Sequence, residues 1–182
     1  MGSLVGVLAL QGDFEAHARV LTELGARVRE VRVPGDLEAL DGLVMPGGES
    51  TTMTLGIERE GLADPLRELV RAGTPVLGTC AGMIMLDREH LGLADYTCRR
   101  NAFGRQLHSF EEDLEIPGIE GRVTAVFIRA PWIESHGDDV EILAAVDGHP
   151  VAARQGKLLV ISFHPEIAGE TRVHELFLSG VS

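Results

Sequence analysis

The stretch that decides the fold is PVLGTCAGMI, residues 75–84. An apolar strand ends at Thr79 and an apolar helix begins directly after Cys80, so the chain must turn sharply at the cysteine. Gly78 and Gly82 allow this tight turn and the close approach of a neighbouring backbone. The N–H groups and the positive dipole end of the helix favour a thiolate at the turn. The pattern predicts a nucleophilic cysteine, with a buried structural cysteine as the alternative.

A second motif follows the apolar run at residues 158–163, where the chain continues as His164-Pro165-Glu166. Residues i and i+2 of an extended chain lie on the same side, and Pro165 biases His164 toward an extended conformation. The imidazole and the carboxylate can therefore serve as a base and the group that orients it. Together with Cys80, the motif predicts a Cys80, His164 and Glu166 triad.

Length and composition limit the classes of function. The chain has 182 residues, and we expect residues 1–182 to form a single domain with an aliphatic core. A formal net charge of −12 argues against nucleic acid and anionic membranes as partners. Cys80 and Cys98 have neither the spacing of a zinc site nor the density of a disulfide scaffold, so we expect no metal and a cytoplasmic location. No run approaches the ~20 apolar residues of a membrane span.

Apolar runs alternate with helical patterns through the first half of the chain. Strands that are apolar throughout are buried on both faces, which predicts an α/β three-layer sandwich: a mostly parallel central sheet with helices on both faces and antiparallel additions. Residues 99–117 are the least regular and are predicted as a surface loop. The predicted strands cover residues 4–10, 28–33, 43–45, 76–79, 124–128, 140–146, 151–154 and 158–163. The predicted helices cover residues 14–24, 51–60, 63–72, 81–90 and 171–178.

A glycine-rich loop, PGGEST at residues 46–51, follows the third strand. Successive glycines can form an anion-binding concavity, and a phosphate cradle is one interpretation. The loop lacks the lysine of a P-loop, however, and does not match the dinucleotide-binding pattern. Beside a cysteine elbow it is better interpreted as half of an oxyanion hole, with the N–H groups of Gly47 and Ala81 as donors.

These motifs, in this order, resemble the class I (triad) glutamine amidotransferases. Within that class the chain is similar, over nearly its whole length, to the PdxT family of glutaminase subunits of pyridoxal 5′-phosphate synthase. Six segments in order make the resemblance specific. The segments are LQGD (10–13), PGGESTTM (46–53), GTCAGMI (78–84), RNAFGRQ (100–106), FIRAP (127–131) and SFHPE (162–166).

The resemblance implies a fold like that of class I glutamine amidotransferases and hydrolysis of L-glutamine to glutamate and ammonia through a thioester on Cys80, without a cofactor. It implies His164 as the base and Glu166 as its orienter. Ammonia would pass to a PdxS-type synthase subunit in a hetero-oligomer, and the glutaminase would be nearly inert until docked there. Gln11 would lie near the oxyanion loop and the docking face. The glutamine-binding residues implied are Gly48, Glu49, Ser50, Arg105, Ile128 and Arg129.

The chain departs from the family pattern at two places: residues 86–96 are a few residues short, and IAGE at 167–170 replaces the usual residues after the triad. Three other functions remain as alternatives. One is a glutaminase subunit with another ammonia acceptor, such as imidazole glycerol phosphate synthase. The others are a cysteine peptidase or chaperone of related fold, in which the histidine usually follows the nucleophile directly, and an inactive binding subunit.

Overall fold

The computed structural model describes residues 2–104 and 109–181. Within these residues the strands, in chain order, are β1 (Leu4–Leu8), β2 (Arg27–Val31), β3 (Gly42–Met45), β4 (Val76–Thr79), β5 (Tyr96–Arg99), β6 (Ser109–Glu115), β7 (Arg122–Ile128), β8 (Trp132–His136), β9 (Glu141–Val146), β10 (His149–Gln155) and β11 (Leu158–Ile161). The helices are α1 (Phe14–Glu23), α2 (Ser50–Arg59), α3 (Ala63–Arg71), α4 (Ala81–Leu86) and α5 (Arg172–Ser179), with a short 3₁₀ helix over Pro34–Leu37.

The central sheet has seven strands among the described residues, in the order β2-β1-β3-β4-β11-β10-β9. The first five strands are parallel to one another, and β10 and β9 are antiparallel additions at one edge. The β9–β10 hairpin turns at Asp147 and Gly148, both with positive φ, as a two-residue hairpin turn requires. The chain leaves β1, β3, β4 and β11 at the same edge of the sheet, which brings four loops together.

Both faces of the central sheet are buried. On β3, Leu43 and Met45 pack into one apolar cluster with α2, α3 and α4, while Val44 packs into a second cluster with α1, α5 and the β6–β7 hairpin. Residues of β11 alternate between the same two clusters. The α/β architecture with a mostly parallel sheet, as predicted from the continuous apolar runs, is confirmed.

The prediction of an irregular surface loop over residues 99–117 is wrong. Ser109–Glu115 forms β6, which pairs with β7 in an antiparallel hairpin. Most side chains of β6 are exposed and charged, and only Leu114 is fully buried. A strand with so little apolar surface lacks the periodic signal from which strands are predicted.

The helix after the cysteine is shorter than the predicted 81–90. α4 ends at Leu86, and Asp87 adopts an extended conformation. The Asp87 carboxylate accepts hydrogen bonds from the backbone N–H groups of Glu89 and His90, at 2.9 and 3.1 Å. Such bonds offer the backbone an alternative to the helical pattern, which is why the helix stops here.

Candidate active site

Cys80 lies at the turn between β4 and α4, with φ 50° and ψ −107°. Its backbone N–H donates to the carbonyl of Ile161 on β11, at 2.9 Å, which ties the turn to the sheet. A Cβ atom at Gly82 would come within 1.8 Å of the Met45 carbonyl oxygen, so this position tolerates only glycine. The positive φ at a non-glycine residue is a strained conformation of the kind found at functional sites. The predicted sharp elbow is present.

His164 lies directly beyond β11 and faces the same side of the sheet as Cys80. Its Nδ1 lies 2.6 Å from Oε1 of Glu166, whose side chain is fully buried. Burial acts to lower the pKa of His164, but hydrogen bonds with Asp13, Cys80 and Glu166 outweigh it and raise the pKa to about 12. The structure therefore brings Cys80, His164 and Glu166 together in the order that the sequence predicts.

Asp13 is a fourth polar group of the site, and the sequence analysis did not predict it. Its Oδ2 lies 3.3 Å from the same Nδ1 of His164. Asp13 follows Gly12 in the loop after β1, and the carboxyl ends of neighbouring parallel strands meet at one edge. That placement was a usable signal, because it puts a carboxylate at the edge that carries Cys80 and His164.

The site opens into a pocket of about 510 Å³. Glu166 lies behind His164, away from the pocket wall. Arg100 and Asn101 also line the pocket. The sequence analysis assigns them no role, although they belong to the segment RNAFGRQ. Arg105 lies outside the described residues. The predicted residues that line the pocket are Gly48, Glu49, Ser50, Cys80, Ala81, Ile128, Arg129 and His164.

The glycine loop packs tightly against the site. A Cβ atom at Gly47 would lie 2.5 Å from Cε1 of His164, so only glycine leaves room for the imidazole. Gly48 has φ 152°, and a Cβ atom there would lie 2.2 Å from Oε1 of Gln11. That oxygen accepts a hydrogen bond from the backbone N–H of Glu49, at 2.7 Å. Gln11 therefore lies at the loop, as the resemblance implies.

Glu49 places a negative charge at the pocket wall. Its carboxylate caps α2 by accepting from the backbone N–H groups of Thr51 and Thr52, and these bonds lower the pKa of Glu49 to about 2. Its Oε1 also lies 3.1 Å from Nη2 of Arg100. An ionised carboxylate held in this way can bind a substrate ammonium group.

On the other side of the pocket, the Ile128 carbonyl lies 4.0 Å from Sγ of Cys80, and Arg129 has a positive φ of 46°. The strained Arg129 backbone follows β7 directly. The pocket thus combines a thiol, an imidazole anchored by carboxylates, and the N–H groups at the start of α4. This combination is suited to attack on a carbonyl carbon.

Asp13, His17 and Glu166 form a cluster in which one carboxylate oxygen or ring nitrogen of each lies within 4.8 Å of the others. His17 Nε2 lies 3.4 Å from Glu166 Oε2, and His17 Nδ1 lies 2.9 Å from Nε2 of His174. The sequence predicts no metal ligands here. It also gives no local pattern from which the contact between His17 on α1 and His174 on α5 could be predicted.

Within residues 2–104 and 109–181, no helix has the length and apolar character to cross a membrane. Both cysteines belong to this part of the chain, and neither forms a disulfide.

Known proteins are similar to this chain in sequence and in fold. The pyridoxal 5′-phosphate synthase subunit PdxT of Mycobacteroides abscessus is 55% identical, with 100% of this chain and 98% of that protein covered. The same subunit of Frankia alni is 53% identical, with 97% and 94% covered. A crystal structure of a glutamine amidotransferase superposes with a TM-score of 0.91 at 46% identity, covering 97% of both chains.

The sequence model of the SNO glutamine amidotransferase family matches residues 7–182, which include every element around the pocket. The match extends from β1 to the end of the chain, and the curated relatives are matched over nearly their whole length. The chain belongs to the SNO glutamine amidotransferase family.

Proposed function

We propose that the chain hydrolyses L-glutamine to glutamate and ammonia, with Cys80 as nucleophile, His164 as general base and Glu166 as its orienter. The observation that carries the proposal is the 2.6 Å bond between Nδ1 of His164 and the buried Glu166, beside a cysteine held in a strained elbow at the pocket wall. With Nδ1 occupied by a carboxylate, Nε2 of His164 is the nitrogen left to exchange a proton with the thiol.

The reaction has two halves. The thiol proton is held by His164, whose pKa is raised, and Sγ of Cys80 attacks the carboxamide carbon of glutamine to give a tetrahedral intermediate. The backbone N–H groups of Ala81 and Gly47 stabilise its oxyanion. The carbon–nitrogen bond then breaks, and the proton on His164 goes to the leaving nitrogen, which departs as ammonia. Water, deprotonated by His164, hydrolyses the thioester to glutamate and restores the thiol.

Glutamine recognition follows the charges of the pocket. Glu49 binds the ammonium group of the substrate, since its carboxylate is ionised at neutral pH. Arg105 and Arg129 bind the substrate carboxylate. Backbone groups of Gly48, Ser50 and Ile128 complete the contacts around the reacting amide.

The ammonia serves a PdxS-type synthase subunit that assembles pyridoxal 5′-phosphate, in a hetero-oligomer with this chain. The proposal is supported by relatives above 50% identity that are named subunits of pyridoxal 5′-phosphate synthase. Gln11 links the docking face to the active site, because its side chain holds the backbone of the oxyanion loop at Glu49.

The protein is a single glutaminase domain over residues 1–182 and works in the cytoplasm, where its two free thiols stay reduced.

The test is glutamate release from glutamine, measured with and without a purified PdxS-type subunit. We expect release by the mixture and little by the chain alone, and none by a mixture that contains Cys80→Ala. Cys98→Ala is the matched control and retains the activity. Equal release by Cys80→Ala and the unmodified chain refutes the proposed function.

A further inference from the structure

Two carboxyl groups bond to one nitrogen of the general base. Nδ1 of His164 lies 2.6 Å from Oε1 of Glu166 and 3.3 Å from Oδ2 of Asp13. A single N–H group on Nδ1 serves one acceptor fully and leaves the other poorly satisfied. The two carboxyl groups are also neighbours, since one oxygen of each lies within 4.8 Å of the other.

Asp13 occupies the N-cap position of α1 but does not cap the helix. Aspartate is favoured there because its carboxylate accepts from the first free N–H groups of a helix. Here the side chain makes no such bond, and its carboxylate is turned toward His164 instead. Gly12 permits this, since its φ of 92° lets the chain pass directly over the carbonyl of Gly47.

Among the described residues, the one cation beside the pair is the imidazole of His164, whose raised pKa keeps it protonated, and it offsets one negative charge. Glu166 is fully buried, and Asp13 is about a quarter exposed. The groups that face them are His164 and His17, with Cys80 beyond His164, and Thr79 and His174 beyond His17. Burial lowers the pKa of His17 to about 3, so His17 is neutral and does not offset a second negative charge.

Two adjacent carboxylates in such a site cannot both be ionised at low cost. Burial raises the pKa of Glu166 to about 7. Burial acts in the same direction on Asp13, but hydrogen bonds with His164 and Glu166 outweigh it and hold the pKa of Asp13 well below its usual range. Burial therefore favours the protonated form of Glu166, and the hydrogen bonds of Asp13 favour its ionised form.

We propose that Asp13 is a second positioning residue for His164, and that Asp13 and Glu166 share one proton so that either carboxyl group can orient the imidazole when the other is removed. This inference rests on the proposed function, because it concerns the base of the same reaction. In this proposal His164 is oriented by two carboxyl groups, Asp13 and Glu166, which together carry one negative charge.

The pair makes a specific prediction about substitutions. In Asp13→Asn, the neighbouring negative charge disappears, and Glu166 ionises and bonds to His164 alone. In Glu166→Gln, Asp13 remains ionised and takes over Nδ1. Each single variant, assayed with the synthase subunit, loses about 10-fold in kcat. The double variant loses about 10⁴-fold, the loss typical of a catalytic imidazole without its orienting carboxylate.

Glu15→Gln is the matched control, because it removes one carboxylate from the same end of α1 at an exposed position. It keeps the full kcat. The proposal is overturned if Glu166→Gln alone is as inactive as the double variant, or if the double loss is only the product of the single losses.

A second readout needs no glutaminase activity. The Nδ1 proton of His164, hydrogen-bonded to a carboxylate, gives a downfield resonance in the proton NMR spectrum of the full chain. We expect that resonance in the unmodified chain and in both single variants, and its loss in the double variant. Loss already in Glu166→Gln refutes the role of Asp13, and this single variant decides the matter should the double variant not fold. The two proposals can fail separately. If the unmodified chain releases no glutamate but the resonance behaves as expected in the four proteins, the proposed function is wrong and the role of Asp13 stands.

Discussion

The two cysteines of this chain lie in opposite environments. Cys80 sits in a strained turn at the wall of the pocket, next to an imidazole. Cys98 lies on β5, where burial and the nearby carboxylate of Asp87 raise the pKa of its thiol far above the usual range. A thiolate is the reactive form of cysteine, so the surroundings favour chemistry at Cys80 and make Cys98 inert.

At this scale we predict that Cys80→Ser abolishes glutamine hydrolysis, with a loss on the order of 10⁵-fold in kcat, as is typical for removal of a nucleophile. Serine has the same shape and tolerates the same backbone, so the thermal unfolding curve should stay unchanged. Glutamate release and circular dichroism measure the two effects. Activity in Cys80→Ser within 10-fold of the unmodified chain, as an order of magnitude, contradicts the assigned role.

Individual residues differ in how far the sequence predicts them. Cys80 and His164 each follow an apolar strand at a turn, and that local pattern suffices to place them together. Asp13 also follows an apolar strand, but that signal is ambiguous because an aspartate before a helix is the ordinary sign of a cap. Its contact with His164 depends on where β1 and β11 lie in the sheet, which is a tertiary property.

At the scale of elements, the continuous apolar strands are predicted, whereas β5, β6 and β8 are not. β3, β4 and β11 are continuous apolar runs, which only a sheet covered on both faces explains. β5, β6 and β8 carry many polar side chains, so their pairing depends on neighbours distant in sequence. Local patterning does not encode that pairing.

The glycine loop between β3 and α2 gives the second prediction. Gly48→Ala places a Cβ atom 2.2 Å from Oε1 of Gln11, so Gln11 must give up its bond to the N–H of Glu49. The loop then shifts, and turnover with the synthase subunit should fall by about 10²–10³-fold, the usual loss for one oxyanion donor. Iodoacetamide should still alkylate Cys80 at the unmodified rate.

Gly25→Ala is the control for that variant. Gly25 also has a positive φ, of 91°, but its added Cβ atom would meet nothing within 4 Å. It should lower stability slightly and leave turnover unchanged. Equal turnover in the Gly48 and Gly25 variants would show that the loop plays no part in the reaction.

The contact between α1 and α5 gives a third prediction, for acid stability. Burial lowers the pKa of His174 on α5 to about 4, while an unfolded chain binds this proton near pH 6.5. The unfolded state therefore binds more protons between pH 6.5 and 4. Stability from this group is fully present above pH 6.5 and is lost as the pH falls, by about 1.4 kcal/mol per pH unit.

In His174→Gln this titration is gone, so the free energy of unfolding should fall less steeply as the pH decreases. The slope should be smaller by about 1.4 kcal/mol per pH unit. Burial raises the pKa of Glu166, which opposes the trend, but Glu166 is present in both proteins. Urea unfolding at several pH values between 6.5 and 4 measures the slopes. The exposed His136→Gln should keep the original slope, and identical slopes in all three proteins would contradict the prediction.

On the scale of the whole molecule, the parallel sheet gathers residues from four loops at one edge. The cysteine comes from the loop after β4 and the histidine from the loop after β11. The glycine loop follows β3, and Gln11 and Asp13 follow β1. A change in the conformation of any one of these loops can therefore alter the surroundings of the Cys80 thiol through direct contacts. The docking of a synthase subunit near Gln11, proposed above, would act on the thiol through these contacts.

The central claim is that Cys80 attacks the carboxamide of glutamine. The most direct measurement is reaction of the chain, in the presence of a PdxS-type subunit, with a diazoketone analogue of glutamine, followed by mass spectrometry of the peptides. We predict one label on Cys80, prevented by excess glutamine, and none on Cys98. A label on Cys98, or an unlabelled Cys80 in a mixture that releases glutamate, would contradict the claim.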